Sequence, residues 1–310
     1  MNRVRKFSEF SWSMSRHKKL SDCLRGYWYA YYGAYGGWHK EASNFSRHTY
    51  RLKTLQSIHM TFGSSVHQQI QHFYNNENQS RLPSEIEIFA NIRSDLNKAY
   101  QDSKYRHRLW AENPRDYKML MEIYYDNELP LGVIEEYQTK LPLVAKNILS
   151  CKTMNDLFQR KDEIEVVAAE RFRCIERNWI KVWVVMDLAF QDKETGKFVI
   201  VDFKSGKSSA NDVTQLMLYA WFVQQAFGIE SLHQIELRSE YLADGKTATY
   251  TPSSFDIEST EYLLNTSIQW MHSYLLDIEQ NIPAEMEAFE QTSNHRICQL
   301  CSFKELCGRF

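Results

Sequence analysis

Hydrophobic residues recur with a helical period in the first half of this chain and in short β-like runs after residue 164. The segment "CLRGYWYAYYGAYGGW" predicts a helix that ends in a glycine-containing turn, and "TFGSSVHQQIQHFY" predicts a second helix, capped by Ser64 or Ser65. From about 80 to 163 the pattern is mostly helical and charged, with breaks at the prolines of "SRLPSEIE" and "AENPRDY". The N-terminal half is therefore predicted to be helical.

Three β-rich runs follow, "EIEVVAAERFRCI", "WIKVWVVMDLAF" and "KFVIVDFK", and the glycine-containing turn "QDKETGK" predicts that the last two form a hairpin. Next come an amphipathic helix that stops at Gly228 and the strand "HQIELRSEYL". A tail from 257 to 290 is predicted to be helical and ends near a group of cysteines. This order of elements predicts an α/β core that is entered from a helical half.

Composition narrows the class of protein. The chain has 310 residues and is 43% hydrophobic, which suffices for the core of one large or two ordinary domains. No apolar run is long enough for a signal peptide or a membrane span, so a cytoplasmic location is predicted. The net charge of -2 argues against a uniformly basic surface, but clusters such as "SRHKK" and "KYRHR" allow one basic groove for phosphates.

The stretch "FVIVDFKSGK" combines a buried strand with two charged residues at its end. Asp202 and Lys204 are two positions apart and share a face of the strand. A lone triplet of this kind is more often a buried ion pair or a surface feature. Here, however, Asp187 lies in the preceding strand, and an antiparallel hairpin would bring both carboxylates to one end of the sheet.

Two neighbouring carboxylates repel each other unless a cation lies between them. We therefore predict that Asp187 and Asp202 bind a divalent metal, with the carbonyl of Phe203 as a third oxygen ligand. Lys204, beside the metal, would orient the attacking water and stabilise negative charge on a phosphoryl group. On the next helix Gln215 and Tyr219 share a face that would lie over this site, although a surface amide and a core tyrosine are the simpler interpretations.

The cysteines pose a separate question. The triplet in "CQLCSFKELC" has the spacing C-x2-C-x5-C, which suits three ligands of a zinc or iron-sulfur site and also arises by coincidence. A tetrahedral metal needs a fourth ligand, most simply Cys23. Cys151 lies in a helical connection, and Cys174 ends a core strand, where free cysteines are normally packed. The triplet consists of Cys298, Cys301 and Cys307.

In this order, Asp187, "VDFK" and "QLMLY" resemble the PD-(D/E)XK nuclease superfamily, and in particular its RecB-type branch. In that branch an Asp, an Asp-x-Lys and a Gln-x-x-x-Tyr follow one another at about these distances. The resemblance implies that Gln215 and Tyr219 belong to the catalytic set and that His67, in "GSSVH", is a metal ligand. It also marks Glu170 as a group next to the site.

Both ends of the chain extend the resemblance. "SDCLRGYWY" and "IPAEMEAFEQTSNHRICQLC" are similar to the iron-sulfur members of this branch, which include CRISPR-associated RecB-type exonucleases and the nuclease domain of the AddB helicase subunit. This implies a 4Fe-4S cluster on Cys23 and the C-terminal triplet, with zinc as the alternative. Such a site would close almost the whole chain and act as a structural clamp rather than an electron carrier.

The resemblance implies a restriction-endonuclease-like fold, in which helices flank a mixed central sheet. It implies a Mg²⁺- or Mn²⁺-dependent deoxyribonuclease, more specifically a single-strand DNA exonuclease of repair, recombination or defence, with DNA and helicase-like proteins as partners. The alternatives are a non-catalytic nucleic-acid-binding module and a zinc-stabilised structural subunit. We predict one compact domain of four segments: 1–60 with the first cluster cysteine, 61–163 with the metal-binding histidine, 164–256 as nuclease core, and 257–310 with the C-terminal helix and cysteines.

Overall fold

The computed structural model describes residues 6–75, 82–169, 172–206 and 210–309, in which helices surround two main sheets. The helices are α1 (Met14–Asp22), α2 (Leu24–Trp28), α3 (Asn44–Lys53), α4 (Ile58–Asn75), α5 (Glu85–Tyr105), α6 (His107–Glu112), α7 (Met121–Asp126), α8 (Leu131–Ser150), α9 (Lys152–Gln159), α10 (Ala210–Phe227), α11 (Ser254–His272) and α12 (His295–Gln299). The strands are β1 (Ser11–Ser13), β2 (Ile164–Ala169), β3 (Phe172–Arg177), β4 (Ile180–Val185), β5 (Leu188–Asp192), β6 (Phe198–Lys204), β7 (Ile235–Tyr241), β8 (Lys246–Tyr250), β9 (Leu275–Asp277) and β10 (Ile282–Pro283).

The larger sheet is mixed. Its five strands run in the order β2-β5-β6-β7-β8, with β6 and β7 parallel and the other neighbours antiparallel. A smaller sheet has the order β1-β4-β3, with β1 parallel to β4. The predicted α/β class, a mixed central sheet with helices around it, is confirmed.

Strand β6 lies at the centre of the larger sheet and is buried on both faces. Val199, Val201 and Phe203 pack into the core formed with α4, α5, α8 and α9. Ile200 points the other way, into the core that contains α10. Because side chains alternate along a strand, Asp202 and Lys204 share the α10 side with Ile200.

Helix α10 follows from its sequence but is less amphipathic than predicted. Every residue from 216 to 223 is buried, because the helix packs between the larger sheet and α11. It ends at Phe227, and Gly228 follows with a positive φ of 63°, as the glycine stop predicts.

The run "WIKVWVVMDLAF" forms two strands rather than one. It divides into β4 and β5, which belong to different sheets, and Asp187 lies in the short link between them. No glycine or proline marks this break. The residues on both sides of it are buried and apolar, so the sequence reads as one continuous strand. The first run also divides, into β2 and β3.

Helix α4 begins earlier than predicted. It starts at Ile58, so neither Ser64 nor Ser65 caps it; the hydroxyl of Ser57 accepts a hydrogen bond from the backbone N–H of Met60 at 3.2 Å instead. His67 consequently lies in the third turn of the helix rather than at its start. The predicted boundary between segments 1–60 and 61–163 falls inside this helix.

The C-terminal region departs from its predicted helical form. Helix α11 ends at His272, and the chain then forms the short hairpin β9–β10. The prediction that Cys174 is packed is also wrong: it is exposed on β3, an edge strand of the smaller sheet, whereas Cys151 is buried. No helix within the described residues is long and apolar enough to span a membrane.

The N-terminal residues pack against the C-terminal ones. The indole N–H of Trp12 donates to the Ser267 hydroxyl at 2.9 Å. The Nε of Arg25 donates to the carbonyl of Phe289 at 2.8 Å. These contacts join segments that are far apart in the sequence.

Candidate active site

Two charged side chains lie close together at the C-terminal end of β6. The Nζ of Lys204 is 2.8 Å from Oδ2 of Asp202, whose side chain is only 2% exposed. Strand alternation places both on the α10 side of the sheet. The predicted shared face is therefore observed as a direct contact.

The neighbouring strand brings Asp187 to the same end of the sheet. In the β5–β6 hairpin Leu188 pairs with Val201, so Asp187 lies across from Asp202. The Oδ2 of Asp187 accepts a hydrogen bond from the backbone N–H of Phe203 at 2.7 Å. The hairpin thus juxtaposes the two carboxylates, and it brings Phe203 to the site through its backbone.

Helix α4 supplies a histidine to this group. The Nδ1 of His67 lies 3.3 Å from Oδ1 of Asp187. Further along the helix, the hydroxyl of Tyr74 donates to the backbone carbonyl of Asp187 at 3.0 Å. The sequence patterns did not single out Tyr74, although its position seven residues after His67, on the same helix face, was a usable signal.

The electrostatics of Asp202 follow from its burial. Desolvation and the adjacent charge of Asp187 raise the pKa of Asp202 to about 7, against the opposing effect of Lys204 and His67. Burial lowers the pKa of Lys204, but the carboxylates around it outweigh this effect, so the net shift is upward. The ammonium group therefore stays charged while the carboxyl beside it is held close to its titration point.

Helix α10 covers the lysine with an amide and a phenol. The Nζ of Lys204 donates to Oε1 of Gln215 at 3.0 Å. The Nε2 of Gln215 in turn hydrogen-bonds the hydroxyl of Tyr219, which is buried. The structure thus brings the two helical residues into one chain of contacts with Lys204.

Asp212 is a further acid at this site that the sequence motifs did not indicate. Its Oδ1 lies 3.8 Å from Nζ of Lys204, and its Oδ2 accepts a hydrogen bond from Tyr241 at 3.2 Å. It precedes Gln215 by three residues and so shares its helix face. An acid in the first turn of a helix commonly stabilises the helix, so the sequence alone does not indicate that Asp212 belongs to the site.

His67, Asp187 and Asp202 carry the donor atoms that a divalent cation prefers. Their side chains, however, contact neighbouring side chains instead of pointing at a common metal position. Within the described ranges, no three His, Cys, Asp or Glu side chains are placed to hold a metal ion. The buried Oδ2 of Asp202 pairs with the Lys204 ammonium at 2.8 Å and makes no further hydrogen bond among those residues. An imidazole and two carboxylates are nevertheless donors of the kind that Mg²⁺ and Mn²⁺ take. Glu170 lies outside the described residues.

The four cysteines singled out in the sequence line one small cavity, of about 20 Å³. The Sγ of Cys23 accepts a hydrogen bond from the Gly26 N–H, and that of Cys301 from the Phe303 N–H, each at 3.4 Å. Arg309 donates to Sγ of Cys298 at 3.5 Å. Burial raises the pKa of the Cys301 and Cys307 thiols. The four thiols therefore converge, although none of them is in ligating geometry with two others.

Comparison with known proteins identifies the family. The model of the PD-(D/E)XK nuclease superfamily matches residues 11–308. The chain belongs to the PD-(D/E)XK nuclease superfamily. Membership implies hydrolytic nuclease chemistry on DNA, and PD-(D/E)XK nucleases usually use Mg²⁺ or Mn²⁺.

Two further comparisons add little to the PD-(D/E)XK assignment. A solved structure titled "Crystal structure of SSO0001" is 13% identical, and the alignment covers 80% of this chain and 96% of that chain with a TM-score of 0.30. No curated protein matches the chain.

Proposed function

We propose that this protein is a metal-dependent DNA nuclease that cleaves phosphodiester bonds at the group formed by His67, Asp187, Asp202 and Lys204. The observation that carries the proposal is the pair of neighbouring carboxylates, Asp187 and Asp202: burial and the charge of Asp187 raise the pKa of Asp202 to about 7 although Lys204 lies 2.8 Å away. Burying two neighbouring acids is costly unless positive charge or hydrogen bonds compensate them. A divalent cation would compensate both acids.

His67, Asp187, Asp202 and the Phe203 carbonyl would hold Mg²⁺ or Mn²⁺. When bound, the ion supplies Lewis acidity toward a phosphoryl oxygen and lowers the pKa of a bound water. Lys204 donates hydrogen bonds to the attacking water or to a phosphoryl oxygen as negative charge develops.

Gln215 and Tyr219 would act on the lysine. An ammonium group on a four-carbon stem has many conformations, and the Oε1 of Gln215 at 3.0 Å restricts them. Tyr219 holds the amide of Gln215 in turn. Their contribution is orientation, which affects the rate of cleavage more than substrate binding.

The substrate and product type rest on the resemblance to the RecB-type branch. We propose release of nucleotides from the end of single-stranded DNA, in repair, recombination or defence, together with helicase-like partners. The four segments would act as one compact nuclease domain.

We also propose that Cys23, Cys298, Cys301 and Cys307 ligate a 4Fe-4S cluster. Their shared cavity supports a common ligand set, and the bound iron would supply the positive charge that offsets the burial that raises the pKa of Cys301 and Cys307. The cluster would fix the N-terminal helices to the C-terminal tail.

The function is tested with anaerobically purified protein and end-labelled single and double strands in Mn²⁺. We expect the wild type to shorten single strands from a free end and the Asp202→Ala variant to be inactive. Asp244→Ala is the matched control, because this acid is half-exposed on the β7–β8 turn and its carboxylate contacts only Lys246 among the described residues. Wild-type protein that binds DNA without cleaving it under any divalent metal would instead favour the non-catalytic module.

A further inference from the structure

A cavity of about 310 Å³ lies between α3 and the loop after α6, and no residue of the candidate active site lines it. Four of its lining side chains are cationic, and two are acidic. The cations are Lys40, Arg47, Arg51 and Arg115, and the acids are Glu112 and Asp116. The cavity therefore carries an excess of two positive charges.

The arginines of this cavity lack an acidic partner in the part of the chain that the structure describes. Among those residues, no carboxylate lies within ion-pairing distance of Arg47, Arg51 or Arg115. The Nε of Arg51 donates to the carbonyl of Ala111 at 2.7 Å, and the Nε of Arg115 donates to the hydroxyl of Tyr50. These two bonds position the guanidinium groups and leave their terminal amino groups for an anion.

Aromatic rings form another wall of the cavity. The guanidinium of Arg115 lies 5.8 Å from the ring centre of Trp38 and 5.7 Å from that of Tyr50. Trp38 is 44% exposed, so part of its indole is free to contact a ligand. An exposed indole beside unpaired arginines is a typical surface for a base or sugar with its phosphate.

A glycine turn holds the tryptophan in this place. A Cβ atom on Gly37 would lie 2.2 Å from the carbonyl oxygen of Ser46, so only glycine permits this approach of the turn to α3. The preceding Gly36 has a positive φ of 75°. The glycine turn thus fixes where the backbone of Trp38 lies beside the cavity.

We propose that this cavity binds a nucleotide unit of the DNA strand outside the cleavage site, with a phosphate against Arg47, Arg51 and Arg115 and the base or sugar against Trp38. The inference rests on the proposed nuclease function for the identity of the strand. A pocket for a free nucleotide would bury most of its ligand, whereas Lys40 and Trp38 are exposed here and leave the cavity open to a continuing chain.

The test measures binding apart from cleavage. Fluorescence anisotropy in EDTA gives the affinity of the full-length protein for single strands of about 6 to 40 nucleotides at several salt concentrations. For the longer strands, Arg47→Ala with Arg115→Ala should lower affinity by tenfold or more and reduce the slope of log K against log salt by about 0.7, the value for one phosphate contact. Trp38→Ala should lower affinity by about fivefold or more with little change in slope.

The matched control removes two cations elsewhere. Lys152 and Lys246 are exposed, and neither they nor their acidic partners line the cavity, so Lys152→Ala with Lys246→Ala should keep affinity within about twofold. Because Arg115 also bonds Tyr50, the single Arg47→Ala variant decides the question if the double variant is destabilised. The Arg47 side chain has no hydrogen-bond partner within the described residues.

Three results would overturn the inference. One is wild-type affinity and salt slope in Arg47→Ala at every strand length. Another is an equal loss in the control pair. The third is binding of 2′-deoxyadenosine 5′-monophosphate that Arg47→Ala abolishes while strand affinity stays unchanged, since this identifies a free-nucleotide site. The cleavage assay tests the nuclease proposal separately. If that proposal is wrong, no cleavage is seen in Mn²⁺, whatever the binding measurements give.

Discussion

Replacing Asp202 by asparagine should stabilise the metal-free protein at alkaline pH. Burial raises the pKa of Asp202 to about 7, whereas an unfolded aspartate titrates near 3.9. The folded state therefore holds a proton more tightly, and stability falls as pH rises through the window from about 4 to 7. Above that window the full penalty of ionising the buried group is present.

The two pKa values set the size of the effect. The penalty is about 4 kcal/mol at pH 8 and about 1.5 kcal/mol at pH 5. Asparagine cannot ionise, so the variant has no such penalty. The free energy of unfolding of Asp202→Asn in EDTA should therefore exceed that of the wild type by up to these amounts. Urea unfolding followed by tryptophan fluorescence at both pH values measures the difference.

A second buried acid on the same hairpin provides the control. The Arg160 guanidinium lowers the pKa of Asp192 to about 2, assisted by backbone N–H groups of the turn. A lowered pKa gives stability that is present above the unfolded value, so Asp192→Asn should destabilise the protein at pH 8. Mn²⁺ should stabilise the wild type by mass action and leave Asp202→Asn unchanged. Equal effects of Asp202→Asn at pH 5 and pH 8, or a loss of stability at pH 8, would refute this account of burial.

Three further predictions concern the site and the clamp. Lys204→Ala should abolish cleavage and largely retain DNA binding, while Gln215→Ala should lower the rate about tenfold or more by releasing the lysine; single-turnover assays measure both. His67→Ala should raise the Mn²⁺ concentration that half-maximal cleavage requires. Cys23→Ala should lose the cluster, with its brown colour and on the order of four irons per chain, and should melt at a lower temperature. Cys174→Ala should keep the iron content and the melting temperature of the wild type; iron analysis and melting curves measure the two.

Each of these predictions has a result that contradicts it. Wild-type cleavage by Lys204→Ala at saturating metal would exclude the assigned role of the lysine. Unchanged Mn²⁺ dependence would remove His67 from the site. Colourless protein with one zinc would reject the cluster and keep the clamp, and a fully loaded Cys23→Ala variant would reject the four-cysteine set.

Local patterns predicted the part of the site that depends on strand and helix periodicity. The shared face of Asp202 and Lys204 follows from alternation along β6, and the pairing of Gln215 with Tyr219 follows from helical spacing. The hairpin turn also set the register that places Asp187 across from Asp202. These relations involve neighbours in sequence or adjacent strands, so the chain itself specifies them.

Other features depend on tertiary packing, which no local pattern encodes. The division between β4 and β5 occurs inside a continuous apolar run, where no breaker residue marks the point at which the chain passes from one sheet to the other. The basic cavity was not predicted for a related reason: Lys40, Arg47 and Arg115 are isolated in sequence and meet only in the fold. The linear clusters such as "KYRHR" pointed elsewhere.

The contacts between the two ends of the chain have a consequence for folding during synthesis. Trp12 bonds Ser267 across a separation of 255 residues, and β1 pairs with β4 far downstream. At about 5 to 20 residues per second, the ribosome adds the partner of Trp12 some 13 to 50 seconds after Trp12 itself. The aromatic N-terminal segment therefore lacks these downstream packing partners while the larger sheet and α10 are synthesised. During translation the aromatic side chains of this segment therefore form an apolar surface that a chaperone can bind.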